Sequence, residues 1–395
     1  MHFNDNDEKP RKRSFYSFSK NYPARHSDTI YAIGESRAMR KKAKVKKMLF
    51  SLSMVLLFLV SVVVFGVCLS LSNREIKSEN KGPSSAFDGQ FKTIHMPEDA
   101  LTGGITFELF KTKLSQSSAN AVLIDFKKTN GLLTYNSTFK TAIDLKASEK
   151  ASENAQSTIA LLKSMGYKIF AEINCYEDSL SASKLPQAAI TEKDGVTIWL
   201  DDSAENDGNP WLNPYSVNAE NYLLGIIAES VQIGADAILL KSVTFPESNY
   251  AENLFCKGES ESQISRNAIL HNFVEKAAEK AGVPIAVYMN VDAALNGNTL
   301  AFSGSLFDSH ASFNAVDFRK SVQKDGYAIS DISYSQNTIT DEILLKTALP
   351  IINQRLIANY ITKDVIPVID DEKYVSILEE MGINNYIIYD FAIKS

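Results

Sequence analysis

A long amphipathic helix followed at once by a short apolar strand stands in the middle of this chain, at residues 216–241. Ser216 is a favoured helix N-cap, and apolar residues then recur at helical spacing as far as Ile233. Gly234 suits the end of such a helix. The strand that follows, Ala237–Lys241, is apolar up to its last residue, which is typical of a parallel strand buried on both faces. A helix that leads into such a strand is half of a βα repeat, so the chain is predicted to form a barrel or an open doubly wound sheet.

The same alternation of strand and helix extends from about Gln90 to Ser395. Several helix-to-strand joins carry glycine, as is usual in the short loops of a parallel sheet. About 300 residues with eight strands predict a (β/α)8 TIM-like barrel. A doubly wound open sheet is the alternative, because periodicity alone does not show closure. The predicted strands are Lys92–Met96, Ala121–Phe126, Lys168–Asn174, Ala235–Lys241, Pro284–Met289, Ala315–Arg319, Val365–Asp370 and Asn385–Tyr389. The predicted helices include Thr106–Gln116, Ser152–Met165, Ser216–Ile233, Ile264–Ala281, Asp341–Ala358 and Glu372–Met381.

A segment of 26 residues without a charge, Met48–Asn73, precedes this alternation. As a helix it would be about 39 Å long, which exceeds the roughly 30 Å hydrocarbon core of a bilayer, so we predict a single transmembrane helix. Residues 1–47 contain thirteen Lys and Arg against five Asp and Glu. This excess predicts a single-pass protein of the cell membrane with a cytoplasmic N-terminus and an extracellular C-terminal domain. The alternative is a cleaved signal peptide, which the length of the segment and the lack of an A-x-A-like site disfavour.

Polar residues flank the charge-free segment on both sides. Residues 1–47 are predicted to be a disordered basic tail, and residues 74–89 a short flexible stalk. The predicted domains are therefore this tail, the membrane segment at 48–73, the stalk, and an outer barrel at 90–395. A basic tail beside a membrane segment is explained by topology and anionic lipid, so a nucleic-acid partner is not predicted.

Two stretches of the outer domain carry distinctive motifs. Trp211–Tyr215 reads W-L-N-P-Y, and the strand that ends on Lys241 is followed by Phe245 and Pro246. Ala121–Tyr135 reads A-V-L-I-D-F-K-K-T-N-G-L-L-T-Y. These stretches resemble the motifs W-L-[DN]-P-Y, F-D-Y-[VI]-R-F-P and V-I-D-x-K-D-x-x-G-x-[LV]-T-Y of a family of bacterial barrels described as "Putative glycosyl hydrolase domain", which is distantly similar to α-amylases. The resemblance implies a barrel fold and a carbohydrate or cell-wall polymer as partner.

The chain departs from the family pattern at Lys241, where the family has aspartate. A cation here reverses the charge that an oxocarbenium-like transition state requires. We therefore expect a barrel that binds carbohydrate or organises the cell envelope without hydrolysis. The alternative is an active glycoside hydrolase that uses a displaced pair of carboxylates, and a structural role with an envelope protein partner also stays open. Lys241 itself is expected to pair with a neighbouring carboxylate such as Asp125 or Glu172 rather than to form a Schiff base.

Candidate site residues follow from the position of strand ends, because βα barrels carry their chemistry beyond the carboxyl ends of the strands. Asp125, Glu172 and Asp292 are the predicted catalytic carboxylates, since glycosidases generally use two. For each of them the alternative is a structural role, such as a pair between Asp125 and Lys127. Aromatic side chains can stack on a sugar ring or fill the space beneath their own loop, and both possibilities stay open here. The predicted substrate-binding residues are Lys127, Trp211, Tyr215, Lys241 and Asp390.

No cofactor or metal site is predicted. The sequence has no glycine-rich phosphate motif and no His/Cys cluster with metal spacing. The acidic loop Thr191–Trp211 contains oxygen ligands of the kind that Ca²⁺ prefers, but its spacing matches no EF-hand, so we interpret it as a solvated hairpin. Cys175 and Cys256 follow neighbouring strands and are predicted to be two separate thiols rather than a disulfide, because a domain of this size needs no cross-link.

Overall fold

The computed structural model describes residues 91–389, except residues 249, 298–299, 324–326, 330–331 and 336. The predicted tail, the transmembrane segment Met48–Asn73, the stalk and Asp390 lie outside the described residues. Within the described ranges, no helix has both the length and the apolar composition needed to cross a bilayer.

Strands and helices alternate through the described chain. The strands are β1 (Lys92–His95), β2 (Ala121–Lys127), β3 (Lys168–Asn174), β4 (Thr191–Glu192), β5 (Ala237–Lys241), β6 (Leu254–Phe255), β7 (Ile285–Asn290), β8 (Phe313–Asp317), β9 (Tyr327–Ile329), β10 (Ile332–Tyr334), β11 (Val365–Ile369) and β12 (Tyr386–Ile388). The α-helices are α1 (Glu98–Leu101), α2 (Gly104–Gln116), α3 (Lys140–Asp144), α4 (Ala155–Ser164), α5 (Ser179–Lys184), α6 (Val217–Ile233), α7 (Glu259–Ser262), α8 (Arg266–Ala281), α9 (Val291–Asn296), α10 (Asp341–Ala358) and α11 (Val375–Glu380).

Eight of the described strands close into a barrel in the order β1-β12-β11-β8-β7-β5-β3-β2, and all neighbouring pairs are parallel. The predicted barrel is thereby confirmed and the open doubly wound sheet is excluded. These strands are the eight that the sequence predicts, with ends displaced by no more than two residues. The short strands β4 with β6, and β9 with β10, form two antiparallel sheets that the sequence does not predict.

The unit at residues 216–241 folds as its sequence indicates. Ser216 caps α6, with its hydroxyl accepting a hydrogen bond of 3.5 Å from the N–H of Ala219. Gly234 ends the helix at a φ of 126°, a backbone conformation that favours glycine. β5 follows with its four apolar residues buried, and its last residue, Lys241, reaches the solvent-facing end of the barrel.

The period of two along each strand separates an outer core, beneath the helices, from a core inside the barrel. Small residues from several strands share the interior with two large rings, Phe91 and Phe170, whose centroids lie 5.3 Å apart at 86°. Because side chains alternate, the next inward position above this core belongs to the residue at or near the carboxyl end of each strand. Leu123 in the core is thus followed by Asp125, and Leu239 by Lys241.

A β-bulge interrupts this alternation in β2, between Asp125 and Lys127. Asp125 pairs with Glu172, but Lys127 pairs with Ile173, so the extra residue turns Lys127 to the outer face of the barrel. There its ammonium lies 2.8 Å from the carboxylate of Asp178, and both side chains are fully buried. The structure thus places Lys127 away from the open end of the barrel.

Candidate functional site

The carboxyl ends of the barrel strands bring charged and aromatic side chains together above the interior core. Most of them come from inward positions at strand ends, and one, Arg319, comes two residues after β8. We refer to this group as the mouth cluster: His95, Asp125, Glu172, Lys241, Tyr288, Asp317, Arg319 and Tyr389.

One wall of the mouth cluster is built around an ion pair between Lys241 and Glu172. The two side chains are joined over 3.0 Å, and Glu172 is only 2% exposed against 17% for Lys241. The hydroxyl of Tyr389 donates to the same carboxylate oxygen over 2.9 Å and accepts from Lys241 over 3.1 Å. The ammonium also lies 4.9 Å from the ring centroids of both Tyr288 and Tyr389, a cation–π geometry. The predicted pairing of Lys241 with a neighbouring carboxylate is therefore confirmed, with Glu172 as the partner.

Two influences act on the pKa of Glu172 in opposite directions. Burial raises its pKa above the ordinary value of a glutamate, while the positive charge of Lys241 acts in the opposite direction. Its second carboxylate oxygen has no hydrogen-bond partner within the described part of the chain. The group is thus enclosed beneath Lys241 and Tyr389, with little surface open to a ligand.

Asp125 is the more accessible of the two neighbouring carboxylates, with its side chain 26% exposed. It lies 3.1 Å from Nε2 of His95, whose ring stacks on Tyr389 at 4.4 Å between centroids. Burial acts to raise the pKa of Asp125, but the hydrogen bond and charge of His95 outweigh it, and the pKa falls below its ordinary value. For His95, burial acts to lower the pKa, but the bond to Asp125 outweighs it and the pKa rises. Asp125 therefore has His95 as its partner rather than Lys127.

A second buried ion pair, between Asp317 and Arg319, completes the opposite wall. Arg319 contacts the carboxylate through both Nε, at 3.0 Å, and an amino group, at 2.7 Å. Tyr288 donates to the same carboxylate over 2.5 Å. The guanidinium carbon lies 4.0 Å from the ring centroid of Tyr389, on which it packs. The three strand-end carboxylates Asp125, Glu172 and Asp317 thus each have a basic partner of their own.

The chain matches the model of a known protein family over a range that includes several of these strand ends. The model of the family described as "Putative glycosyl hydrolase domain" matches residues 94–299, about half of the chain. This chain belongs to that family. The matched range includes His95, Asp125, Glu172 and Lys241, and membership links the chain to carbohydrate-related function.

The chain is also similar, at low identity, to several solved structures. A hypothetical protein from Ruminiclostridium thermocellum ATCC 27405 shares 22% identity over 50% of this chain and 96% of its own length, with a TM-score of 0.41. The glycoside hydrolase domain of PgaB (BpsB) from Bordetella bronchiseptica shares 10% identity over 76% of this chain and 94% of its own, with a TM-score of 0.49. The glycoside hydrolase domain of PelA from Pseudomonas aeruginosa shares 12% identity over 78% and 96%, with a TM-score of 0.38. A comparison with curated proteins gives no match.

Other predicted site residues lie apart from the mouth cluster in this family member. Asp292 stands in the first turn of α9, where its carboxylate accepts a hydrogen bond from Asn296. The indole N–H of Trp211 donates to Asp201 over 3.0 Å, and the hydroxyl of Tyr215 donates to the carbonyl of Ile264 over 2.8 Å. Both rings are half-buried and pack against the outer core, so in this structure they support their own loop.

The sequence reasoning missed Tyr288, Asp317, Arg319 and Tyr389, although all four fell within predicted strands. The signal that could have found them is their position, since each lies at or near a strand end. Alternation predicts which of these residues point inward, but the register that decides it emerges only from the closed barrel.

Neither a metal centre nor a disulfide is formed by the described residues. No group of three or more His, Cys, Asp or Glu side chains within the described ranges is arranged to hold a metal ion. Cys175 and Cys256 are both buried and free, which confirms the prediction of two separate thiols. Burial raises the pKa of each thiol to about 12, so neither is a reactive thiolate at neutral pH.

Proposed function

We propose that this protein is a membrane-anchored, outward-facing barrel that binds a carbohydrate or cell-wall polymer at its mouth without hydrolysing it. The observation that carries the proposal is the ion pair between Lys241 and Glu172. Lys241 stands where the motif F-D-Y-[VI]-R-F-P, which this strand end resembles, has aspartate. Anchoring is supported by the charge-free segment Met48–Asn73 and the basic residues before it.

The geometry of the mouth supports the loss of hydrolysis. Glycosidases generally need two carboxyl groups that flank the bond to be cleaved. Glu172 is enclosed by Lys241 and Tyr389, and Asp317 is fully buried against Arg319. Asp125 is left as the accessible carboxylate among these three. In addition, the cation of Lys241 would oppose the positive charge that develops on the sugar in the transition state.

Binding of a sugar remains compatible with the same geometry. Asp125, His95 and Lys241 are each partly exposed and supply both hydrogen-bond acceptors and donors at the open end of the barrel. Their ion pairs fix these groups in place, which lowers the entropy cost of binding a ligand to them.

The test is to measure binding and turnover together for the full chain in neutral detergent, against polysaccharides and cell-wall fragments. We expect saturable binding without release of reducing ends. Asp125→Asn should weaken binding roughly tenfold, because a charged hydrogen-bond acceptor is lost. Asp292→Asn is the matched control, since Asp292 lies outside the mouth cluster, and it should leave binding unchanged. Robust hydrolysis that disappears in both Asp125→Asn and Glu172→Gln would overturn the proposal.

An active glycoside hydrolase is the second candidate, and two observations favour it. Asp125 and Glu172 pair in register on adjacent strands, so their Cα atoms are neighbours across the sheet. The raised pKa of Glu172 is also the property expected of a general acid. For this function Lys241 would have to move aside when substrate enters. Loss of turnover in Glu172→Gln, with binding retained, is the result that would establish it.

A further inference from the structure

Two carboxyl groups from different elements meet at the rim of the barrel, at the same end as the mouth cluster. Asp370 directly follows β11, and Asp341 is the first residue of α10. Asp341 is buried, with 6% of its surface exposed, and the side chain of Asp370 lies within hydrogen-bonding reach of it. Neither residue belongs to the mouth cluster, and the proposed function does not use them.

The two groups differ in how well their surroundings stabilise a negative charge. The Oδ1 atom of Asp370 is shielded from solvent and accepts no hydrogen bond from an N–H or hydroxyl group of the described residues. Asp341 accepts a hydrogen bond of 2.7 Å from the N–H of Lys320, and it stands at the N-terminus of an 18-residue helix. Both features favour a carboxylate at Asp341. A proton shared by the pair therefore resides on Asp370, which donates it to Asp341.

The pair holds this proton more firmly than an exposed aspartate does. Burial raises the pKa of Asp370 to about 6, and the hydrogen bond to Asp341 and its charge add to the effect. Lys373 opposes the effect only in part, and it is itself paired with Asp371 over 3.1 Å. The charged and titratable groups around the carboxyl of Asp370 are Asp341 of α10, Lys320 after β8, which contacts Asp341 through its backbone, and Asp371, Lys373 and Tyr374 after β11.

The hydrogen bond from Lys320 connects this pair to the mouth. Lys320 follows Arg319, whose guanidinium forms one wall of the mouth cluster with Asp317. Gln323 closes the same segment, because its side-chain amide donates to the carbonyls of Asp317 and Arg319 over 2.8 and 2.9 Å. The place of Arg319 in the mouth thus depends on where the carboxylate of Asp341 is held.

We propose that Asp341 and Asp370 form a proton-operated clasp that controls how well the mouth is ordered. With the shared proton in place, the pair joins β11 to α10 and fixes the segment that carries Arg319. When the proton is lost to solvent, two adjacent carboxylates repel each other and this segment loosens. The mouth is then best ordered in mildly acidic surroundings, whichever ligand binds there and whether or not a bond is cleaved.

The first experiment compares the melting temperatures of the unchanged full chain and of Asp370→Asn, in neutral detergent, from pH 4.5 to pH 8. A carboxyl group whose pKa rises on folding stabilises the folded chain most below its unfolded pKa of about 4, and this contribution is lost as the pH rises through the raised value. Asparagine offers a neutral donor at every pH. Asp370→Asn should therefore melt with the unchanged chain at pH 4.5 and at least about 2 °C above it at pH 7.5.

The comparison at each pH isolates Asp370, because His95 and Glu172 titrate in both chains alike. Asp99→Asn is the matched control, since Asp99 is an exposed aspartate in the first turn of α1, and it should melt with the unchanged chain at every pH. The proposal is overturned if Asp370→Asn melts with the unchanged chain throughout, or below it by the same amount at both ends of the range.

Hydrogen–deuterium exchange tests the link to the mouth. Peptides that cover residues 318–323 are compared at pH 5 and pH 7.5, after correction for the intrinsic effect of pH on exchange. We expect this segment to lose protection at pH 7.5 in the unchanged chain and to keep it in Asp370→Asn. Peptides of α4 are the internal control, since this helix connects β2 and β3 on the opposite side of the barrel. Equal protection of residues 318–323 at the two pH values in the unchanged chain would refute the clasp, whatever the melting temperatures show.

Discussion

Tyr389 lies between two basic side chains at the centre of the mouth. His95 stacks on its ring at 4.4 Å between centroids, the guanidinium of Arg319 packs on it at 4.0 Å, and its hydroxyl bridges Glu172 and Lys241. Burial raises the pKa of this phenol, and the nearby carboxylates raise it further, so the hydroxyl stays protonated as a donor. Tyr389 therefore contacts a member of each of the three ion pairs of the mouth cluster. These pairs are His95 with Asp125, Lys241 with Glu172, and Arg319 with Asp317.

Tyr389→Phe should lower the free energy of unfolding by about 1–3 kcal/mol, because it deletes one hydrogen bond to a carboxylate and one from an ammonium group but leaves the ring in place. Urea denaturation of the full chain in neutral detergent measures the difference. Tyr360→Phe is the matched control, since Tyr360 is 93% exposed, and it should not change stability measurably. Equal stability of Tyr389→Phe and the unchanged chain would show that the bridge contributes nothing.

Lys241→Met should destabilise the fold by about 3–5 kcal/mol at pH 7, because Glu172 would remain buried without its cation. The loss should depend on pH. With Lys241 absent, the pKa of Glu172 in the folded chain rises further above its ordinary value of 4.5. Between the two values the folded chain binds more protons than the unfolded chain, so stability falls as pH rises through that window. The double variant Lys241→Met/Glu172→Gln should lose this pH dependence, and denaturation at several pH values checks both expectations.

Part of the site could be predicted from residues alone. Asp125, Glu172 and Lys241 end strongly apolar strands, and a charged residue in that position points to the open end of a barrel. The role of Tyr389 could not be predicted, because its partners lie on or near β1, β3, β5 and β8, which only closure of the barrel brings together around it. The role of Lys127 could not be predicted either, because a single bulge in β2 reverses the direction of its side chain.

At the scale of elements, a buried carboxylate on α6 fixes the segment that follows β2. Glu229 accepts hydrogen bonds from the hydroxyl of Tyr135 at 3.1 Å, from the hydroxyl of Ser137 at 2.6 Å, and from the backbone N–H groups of Thr138 and Phe139 at 2.6 and 3.0 Å. The ring of Phe139 packs over Gly225 of the same helix, in the space that a Cβ at this position would occupy. The tyrosine of the family motif L-T-Y is therefore a contact between a loop and a helix.

Glu229→Gln should cost about 2–4 kcal/mol of stability, because the substituted amide loses the negative charge and turns two N–H groups toward donors of the loop. Chemical denaturation of the full chain measures the loss. Glu279→Gln on α8 is the matched control, since Glu279 is exposed and should tolerate the change. A loss of similar size in both variants would argue against a specific role for Glu229.

The strands and long helices were predictable because each is apolar at the period of its own geometry. The short elements were not, and α9 is an example. It has six residues, too few for a periodic pattern, and it begins where Asn290 caps the N–H of Ala293 over 2.8 Å. Asp292 was therefore expected in a loop at a strand end, whereas it lies in a helical turn whose carboxylate bonds within the turn.

At the scale of the whole molecule, the proposed anchoring makes a prediction about topology. Protease added to intact cells should degrade the domain beyond Asn73 and spare the basic tail, because the excess of Lys and Arg in residues 1–47 retains that side in the cytoplasm. Antibodies against the tail and against the barrel, used on the same digest, measure the two outcomes. A protected barrel with a digested tail would reverse the proposed orientation, and a barrel released into the medium with no tail attached would support a cleaved signal.

Closure of the barrel also has a consequence for the biosynthesis of the chain. β1 pairs with β12, and the hydrogen bond between Phe91 and Asn385 joins residues 294 positions apart. At roughly 5–20 residues per second, β1 waits on the order of 15 to 60 seconds for its second neighbour to leave the ribosome. During that interval the nascent barrel has exposed strand edges, which can pair with other chains. The cell must therefore protect this domain from aggregation until its last strand has been made.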